Sequence, residues 1–324
     1  MSEVTSITGI EGVFAAHATD AAHGTGCTVI CCPEGATCAV DVRGGAPASR
    51  ETDLLRPEET VQEVHAVVLS GGSAYGLAAS CGVAEELERR GLGLDVGVGV
   101  VPIVTGACLF DLACGDPSVR PTAADGAAAC AAALDSPAAP LARGNVGAGT
   151  GATVGKLGGA ERAMKGGLGE DVEVAGDLVC GAVAAVNACG DVVDPDDGTP
   201  IAGMRAAADS PELASSEDLL CSQGASMPLS RTNTTISCVV TNARLTKAQA
   251  LKVAQIAADG YAHAIRPTHT TNDGDSVFVL ATGAVEAEVD VVGALAVRAL
   301  GRAIADGARQ ATSAHGFPAA RDLA

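Results

Sequence analysis

The chain has almost no aromatic side chains with which to fill a core. Aromatics are 2% of its 324 residues and tryptophan is absent, yet 48% of the residues are hydrophobic. That hydrophobic share makes it globular rather than disordered, with an interior built from Ala, Val, Leu and Ile. Small apolar residues fill space only when elements sit close together, which favours packed layers of sheet and helix. The 41 glycines agree, since they permit tight turns and close backbone approach. They follow no Gly-X-Y period, so a collagen-like fold is excluded. The length suits one large domain or two modest ones.

The net charge of −19 is unevenly spread. From Thr234 onward there are eight basic and eight acidic residues, so the whole excess lies in the first 233. A surface this acidic repels phosphate backbones and argues against a nucleic-acid partner. The N-terminal Met1-Ser-Glu-Val-Thr-Ser carries neither a basic region nor an apolar stretch of signal length. No run reaches the roughly 18 apolar residues of a membrane span. The expectation is a cytoplasmic location with no membrane partner. The 12 cysteines then read as reduced thiols, mostly small core residues. Without paired Cys/His spacing, no metal site is expected.

Several segments have a recognisable period. Residues 27–32 and 38–42 read as a strand pair around a Pro33-Glu34-Gly35 turn. Residues 64–70 read as a buried strand that ends in Gly71-Gly-Ser-Ala-Tyr-Gly76 and leads into a helix to about Arg90. Residues 122–135 are alanine-rich and helical, and 178–188 form another buried strand. Between Asp191 and about Arg231 the texture resembles a surface linker. Thr234 to Thr241 then alternates like a strand. Thr246-Lys-Ala-Gln249 is a capping box opening a helix to about Ala264, with Leu251, Ala254, Ala258 and Tyr261 on one face. Ser276–Thr282 reads as a strand and Asp290 to about Gln310 as a helix. Neighbouring strand pairs with helices between them predict a layered α/β sandwich rather than a doubly wound sheet.

Most familiar motifs fail. In Gly147-Ala-Gly-Thr-Gly-Ala-Thr-Val-Gly155-Lys156, Thr150 stands where a phosphate loop needs glycine, and Leu157 where it needs Ser or Thr. The dinucleotide glycine spacing fails too. Asp194–Gly198 lacks the later glutamate of a calcium loop. What survives is Asn233-Thr234-Thr235, a polar triplet between an apparent linker and a buried strand. By itself a threonine there is only a good strand former.

A resemblance gives the triplet meaning. The run Asn233-Thr-Thr-Ile-Ser-Cys-Val-Val-Thr-Asn-Ala-Arg-Leu resembles the self-cleavage region of the peptidase S58 family. That family includes D-aminopeptidase/esterases, β-peptidyl aminopeptidases and nylon-oligomer amidases. Further matching blocks occur in order: Thr25–Thr28, Asp41–Gly45, Glu51–Asp53, Gly71–Leu77, Gly147–Lys156, Lys165–Gly169, Val186-Asn187 and His269–Asp275. In motif detail the chain is most similar to the nylon-oligomer branch, which shares Asn-Thr-Thr-Ile-Ser and Asp-Gly-Asp.

The resemblance implies an N-terminal-nucleophile-like αββα sandwich over residues 1–324. It also implies one precursor cut between Asn233 and Thr234 into chains 1–233 and 234–324. The Thr234 hydroxyl would attack the Asn233 carbonyl, and hydrolysis of the resulting ester would free the Thr234 amine. A free α-amine has a reference pKa of roughly 7.7–8.0, so it can act as base for its own hydroxyl.

Four more roles come with the resemblance. Asn187 matches the oxyanion-hole asparagine, or is a hydrogen-bonded strand-end residue. Lys156 matches the lysine beside the nucleophile, or is a surface lysine after a glycine loop. Asp273 and Asp275 match the acidic pair holding the nucleophile's amine and hydroxyl, or form an ordinary Asp-Gly turn. His269 reads as structural. Tyr75 lines the substrate pocket or packs in the core. Phe110 is the second candidate lining residue and stands where some members carry tyrosine.

The implied enzyme is an aminopeptidase or amidase on small amides or peptides. It needs no metal or cofactor and assembles as a homo-oligomer of four or more copies. Two alternatives stay open: an endo-type amidase on non-peptide oligomers, and an uncleaved scaffold without activity.

Overall fold

The computed structural model describes residues 4–136, 139–223 and 233–323. Its centre is a nine-stranded ladder: β1 (Phe14–Asp20), β2 (Thr25–Val42), β3 (Ser49–Arg50), β4 (Val64–Ser70), β5 (Val104–Cys108), β6 (Leu168–Ala175), β7 (Leu178–Ala185), β8 (Ile236–Ala243) and β9 (Ser276–Val285). The order is β6-β7-β8-β9-β2-β4-β5-β3, with β1 also paired to β2. Only β8–β9 and β4–β5 are parallel among these pairs.

Side-chain parity divides the ladder into two stacked sheets. On β8, Ile236, Cys238 and Val240 join Phe278 and Leu280 of β9, Val67 and Leu69 of β4, and Ile30 of β2 in one buried cluster between the sheets. The opposite parity, Val239, Val277 and Val279, packs under helices α4 (Lys247–Ala257), α5 (Asp259–Ala264) and α6 (Val289–Gln310). On the other sheet, Val29, Ala66 and Val68 pack under α1 (Ala78–Arg89) and α2 (Ala123–Asp135). Helices therefore cover both outer faces, which is the expected αββα order.

Small residues set the spacing of the layers. A Cβ on Gly82 of α1 would lie 1.7 Å from the Ala123 carbonyl oxygen, and one on Gly126 of α2 would lie 1.9 Å from that of Ala79. Ten of the 12 cysteines are buried, in keeping with their reading as small core residues.

The predicted strand pair around Pro33-Glu34-Gly35 is corrected: residues 25–42 form one strand. Its first half pairs with β1 and β4, and its second half with β9. The β4 register jumps between Cys31 and Ala36, so proline and glycine sit in a bulge rather than a hairpin. Each half has a long-range partner, and that outweighs the local turn signal.

The expected linker from Asp191 to about Arg231 is also corrected in part. Asp191–Val193 pairs with Pro200–Ala202 and with Ile265–Arg266, and α3 (Ser216–Gln223) follows. The Asp191 carboxylate accepts the Ser216 N–H and the Met204 N–H, at 2.6 and 2.7 Å. Residues 224–232 of that linker lie outside the described residues.

The Thr246–Gln249 capping box is present, with the Thr246 N–H donating to Gln249 Oε1 at 2.9 Å. The helix it opens gives way to α5 at Ala258. Ala254, Ala258 and Tyr261 are buried as expected, and Leu251 is partly so. Among the described residues no helix is long and apolar enough to cross a membrane.

Among the described residues, Phe278 is the one aromatic side chain in the buried cluster between the sheets. Phe278→Ala is expected to cost about 3–5 kcal/mol of unfolding free energy. Val98→Ala, at a residue 98% exposed, should stay within about 0.5 kcal/mol. Urea unfolding of both variants checks the contrast; equal losses would contradict the layer assignment.

Candidate active site

Strand register builds the site. β7 and β8 are antiparallel with Ala185 opposite Ile236. Two residues further, the same register sets Asn187 opposite Thr234, and the Thr234 N–H donates to the Asn187 carbonyl at 3.0 Å. β8 and β9 are parallel with Ile236 beside Ser276. Extended backwards, that register sets Gly274 beside Thr234 and Asp275 beside Thr235. The Gly274 N–H donates to Thr234 Oγ1 at 3.1 Å, and the Thr235 N–H to Asp275 Oδ1 at 2.8 Å. A Cβ at residue 274 would sit 2.8 Å from that hydroxyl oxygen, so glycine is required there.

Thr234 and Asn233 are both buried and joined by a peptide bond. The Thr234 hydroxyl is in direct contact with the Asn233 carbonyl oxygen. The nucleophile candidate therefore lies against the carbonyl it would attack.

Donor chemistry alone fixes the orientation of the Asn187 amide. Lys156 Nζ and the Thr153 N–H can only donate, and they face Oδ1 at 2.7 and 3.0 Å. The Phe110 carbonyl can only accept, and it takes an Nδ2 hydrogen at 2.9 Å. Nδ2 carries a second hydrogen. Lys156 Nζ also donates to the Asn187 main-chain carbonyl at 3.0 Å. Burial pulls the Lys156 ammonium down to about 7, against the field of Cys189 and Asp273.

Asp273 and Asp275 sit side by side but are held differently. Asp273 Oδ2 accepts the Thr270 N–H at 2.8 Å and the Thr270 hydroxyl at 2.6 Å, while Oδ1 has no hydrogen-bond partner among the described residues. Burial and the Asp275 charge push its carboxyl up to about 6. Asp275 Oδ2 faces His269 Nδ1 at 2.9 Å and accepts the His269 N–H at 3.1 Å. The His269 ring centroid lies 5.1 Å from that of Tyr261, whose hydroxyl donates to the Thr235 carbonyl at 3.0 Å. His269 thus braces Asp275, in line with its structural reading.

The structure brings Thr234, Asn233, Asn187, Lys156, Asp273 and Asp275 into one cluster. Phe110 reaches it through its main-chain carbonyl. Tyr75 is 62% exposed with the Arg120 guanidinium 4.0 Å above its ring, so the core alternative for Tyr75 is overturned. Residue-type reasoning missed the Gly274 and Thr153 N–H groups. Main-chain donors leave no compositional trace, and only the register locates them.

Comparison with known proteins places the chain in a family. The sequence profile described as Peptidase family S58 matches residues 5–321. A protein of Mycobacterium leprae named an uncharacterized aminopeptidase is 43% identical over 98% of this chain and 93% of its own length. The 6-aminohexanoate-oligomer endohydrolase of Paenarthrobacter ureafaciens is 32% identical over 81% of this chain and 70% of its own. Among solved structures, a Burkholderia sp. beta-aminopeptidase superposes with a TM-score of 0.69 at 20% identity, covering 98% of this chain and 91% of that one. The l-aminopeptidase d-ala-esterase/amidase of Ochrobactrum anthropi, described as a variant of the Ntn hydrolase fold, gives 0.67 at 18%, with 98% and 90% covered. The fold is therefore of that Ntn type. The profile match across residues 5–321, with a 43% identical relative, makes this chain a hydrolase of peptidase family S58.

Proposed function

We propose that the chain is a self-processing N-terminal-threonine hydrolase that cleaves amide or peptide bonds in small substrates, as an aminopeptidase or amidase. The observation that carries this reading is the Thr234 hydroxyl lying against the Asn233 carbonyl while accepting the Gly274 N–H. In the first step Thr234 Oγ1 attacks the Asn233 carbonyl carbon. Asp273 takes the hydroxyl proton, and as the Asn233–Thr234 C–N bond breaks a proton passes to the nitrogen, which becomes an amine. Water then hydrolyses the ester, leaving an Asn233 carboxylate and a free Thr234. Chains 1–233 and 234–324 remain associated.

The freed amine serves as base for the Thr234 hydroxyl, a task a peptide nitrogen cannot perform. The second Nδ2 hydrogen of Asn187 donates to the oxyanion that forms in each acyl transfer, in self-cleavage as with an external substrate. Asp273 Oδ1, buried and unpartnered among the described residues, receives the amine or hydroxyl proton. Lys156 orients Asn187 and, while charged, disfavours protonation of the Thr234 amine. Tyr75 and Phe110 line the approach. Every step uses the chain's own residues and water. A cytoplasmic homo-oligomer of four or more copies belongs to the same reading, and light scattering of the purified protein tests its mass.

The 6-aminohexanoate-oligomer relative supports a second reading, an endo-type amidase on non-peptide oligomers. Turnover of amino-acid p-nitroanilides against N-blocked amides separates the two. An aminopeptidase requires the free amine; an endo-type enzyme accepts the blocked substrate.

Intact mass tests the processing directly. The wild-type protein should resolve into two fragments breaking between Asn233 and Thr234, while Thr234→Ala stays whole. Asn187→Ala should lower turnover by about 10²–10³. A wild-type chain that is still single after days at neutral pH would leave the scaffold alternative standing.

The state of Asp273 gives a pH signature. Its carboxyl is pushed up to about 6, so the ionised base is lost below that value. Processing should slow about tenfold per pH unit below 6 and level off above 7. Mass time courses between pH 4.5 and 8 read this; a flat profile across pH 5–7 contradicts the role.

Stability moves the other way. The neutral carboxyl is favoured in the fold relative to the ordinary 3.8, so its contribution is complete below about 4 and lost as pH rises through about 6. The difference amounts to at most about 3 kcal/mol. Asp273→Asn should abolish processing yet raise the Tm more at pH 7 than at pH 5.

A further inference from the structure

We infer that Lys165 is a positioning residue for Asn187, acting through the single peptide that joins Ala152 to Thr153. The inference rests on the proposed hydrolase reading and adds a residue to it.

Lys165 is completely buried, on a short strand (Met164–Lys165) paired with Thr153–Val154. Its ammonium donates to the carbonyls of Gly149, Ala152 and Gly166 at 3.3, 2.8 and 2.9 Å. An ammonium has three donors, so all are used. The glycine-rich stretch that failed as a phosphate loop thus does the reverse of anion binding: its carbonyls turn inward around a cation.

The Ala152 carbonyl and the Thr153 N–H belong to one trans peptide and point in opposite directions. With the oxygen held by Lys165, the N–H must face away from it. It meets Asn187 Oδ1 at 3.0 Å. A relay follows from ammonium to peptide to side-chain amide, ending at the Nδ2 hydrogens. Hydrogen bonds in series polarise one another, and most strongly where water is excluded. A cation at the head of the series strengthens Nδ2 as a donor and fixes the plane of the amide. Burial lowers the Lys165 ammonium to about 8, so it remains charged at neutral pH. Lys156 reaches Asn187 Oδ1 directly, so two cations act on one amide, one by contact and one through a peptide.

Lys165→Gln in the full chain keeps donors and removes charge. Self-cleavage, read by intact mass, should slow at least about tenfold, and kcat on a small amide should fall alike, with KM within about twofold. Circular dichroism confirms the fold. A residue that only fills space would not give this kcat-specific loss.

The decisive readout is a double-mutant cycle. In an Asn187→Ala background the Lys165→Gln effect should shrink below about threefold, because the relay then ends nowhere. A Gln variant within twofold of wild type, or one keeping its whole effect without Asn187, overturns the inference. Should the Gln variant not fold, Lys165→Arg decides. A folded Arg variant with kcat within about threefold supports the charge relay, and one slowed tenfold opposes it. If the wild-type chain itself never cleaves, the hydrolase reading falls and this inference with it. If wild type cleaves and Lys165→Gln cleaves equally fast, this inference alone falls.

Discussion

Thr234 owes its surroundings to main-chain hydrogen bonding at the head of β8. Strand ladders hold neighbours at a spacing of about 4.8 Å, and the antiparallel β7 and parallel β9 both run into this point. Their registers deliver Asn187 on one side of Thr234 and Gly274 on the other. Parity does the rest. Thr234 has the parity of Ile236, Cys238 and Val240, which fill the layer between the sheets. Its hydroxyl therefore lies where that apolar layer gives way to loops. A slip of one residue in either ladder would turn Thr234 to the helix side and bring Thr235 in its place. Position is thus secured by backbone pairing over whole strands, and side-chain chemistry is laid on top of it.

This explains which parts were legible in the sequence. β4, β7, β8 and β9 show continuous or alternating apolar runs of strand length, and α4 has a capping box, so their signals are local. β2 departs from the predicted strand pair because Pro33-Glu34-Gly35 is turn chemistry, and nothing nearby reveals that each flank has a distant partner. The stretch from Asp191 to Gln223 looked like linker because its order comes from a carboxylate, Asp191, capping a helix 25 residues away. Within the site, Thr234, Asn187, Lys156, Asp273 and Asp275 could be named by resemblance to family blocks. The N–H groups of Gly274 and Thr153 and the carbonyl of Phe110 could not, since every residue has them. The Lys165 cradle belongs to the same class, because its acceptors are all main-chain carbonyls.

Small side chains connect the core to the site. With 2% aromatics, the layers approach closely enough that helices and loops touch through backbone atoms. Close backbone approach brings carbonyls and N–H groups to the surface of each element, where lysines and carboxylates can use them. Lys165 and Lys156 are both served by backbone carbonyls in this way. A bulkier core would separate the layers and leave these cations in contact with side chains instead.

The electrostatics favour chemistry over stability. Burial lowers Lys156 to about 7 and raises Asp273 to about 6, so each ion stands near the point of losing its charge. Groups so placed exchange protons readily around neutral pH, which is what acid–base work needs. Burying such ions also costs the fold stability. On the proposed reading, the peptide bond before Thr234 keeps this arrangement closed until it has acted once. The Asn233 acyl group occupies the position of a substrate, and the Thr234 nitrogen, still an amide, cannot serve as base. Cutting that bond converts the nitrogen to an amine and vacates the acyl position in one event. The precursor is therefore its own first substrate, and the same hydroxyl that opens the site is the one that later turns over others.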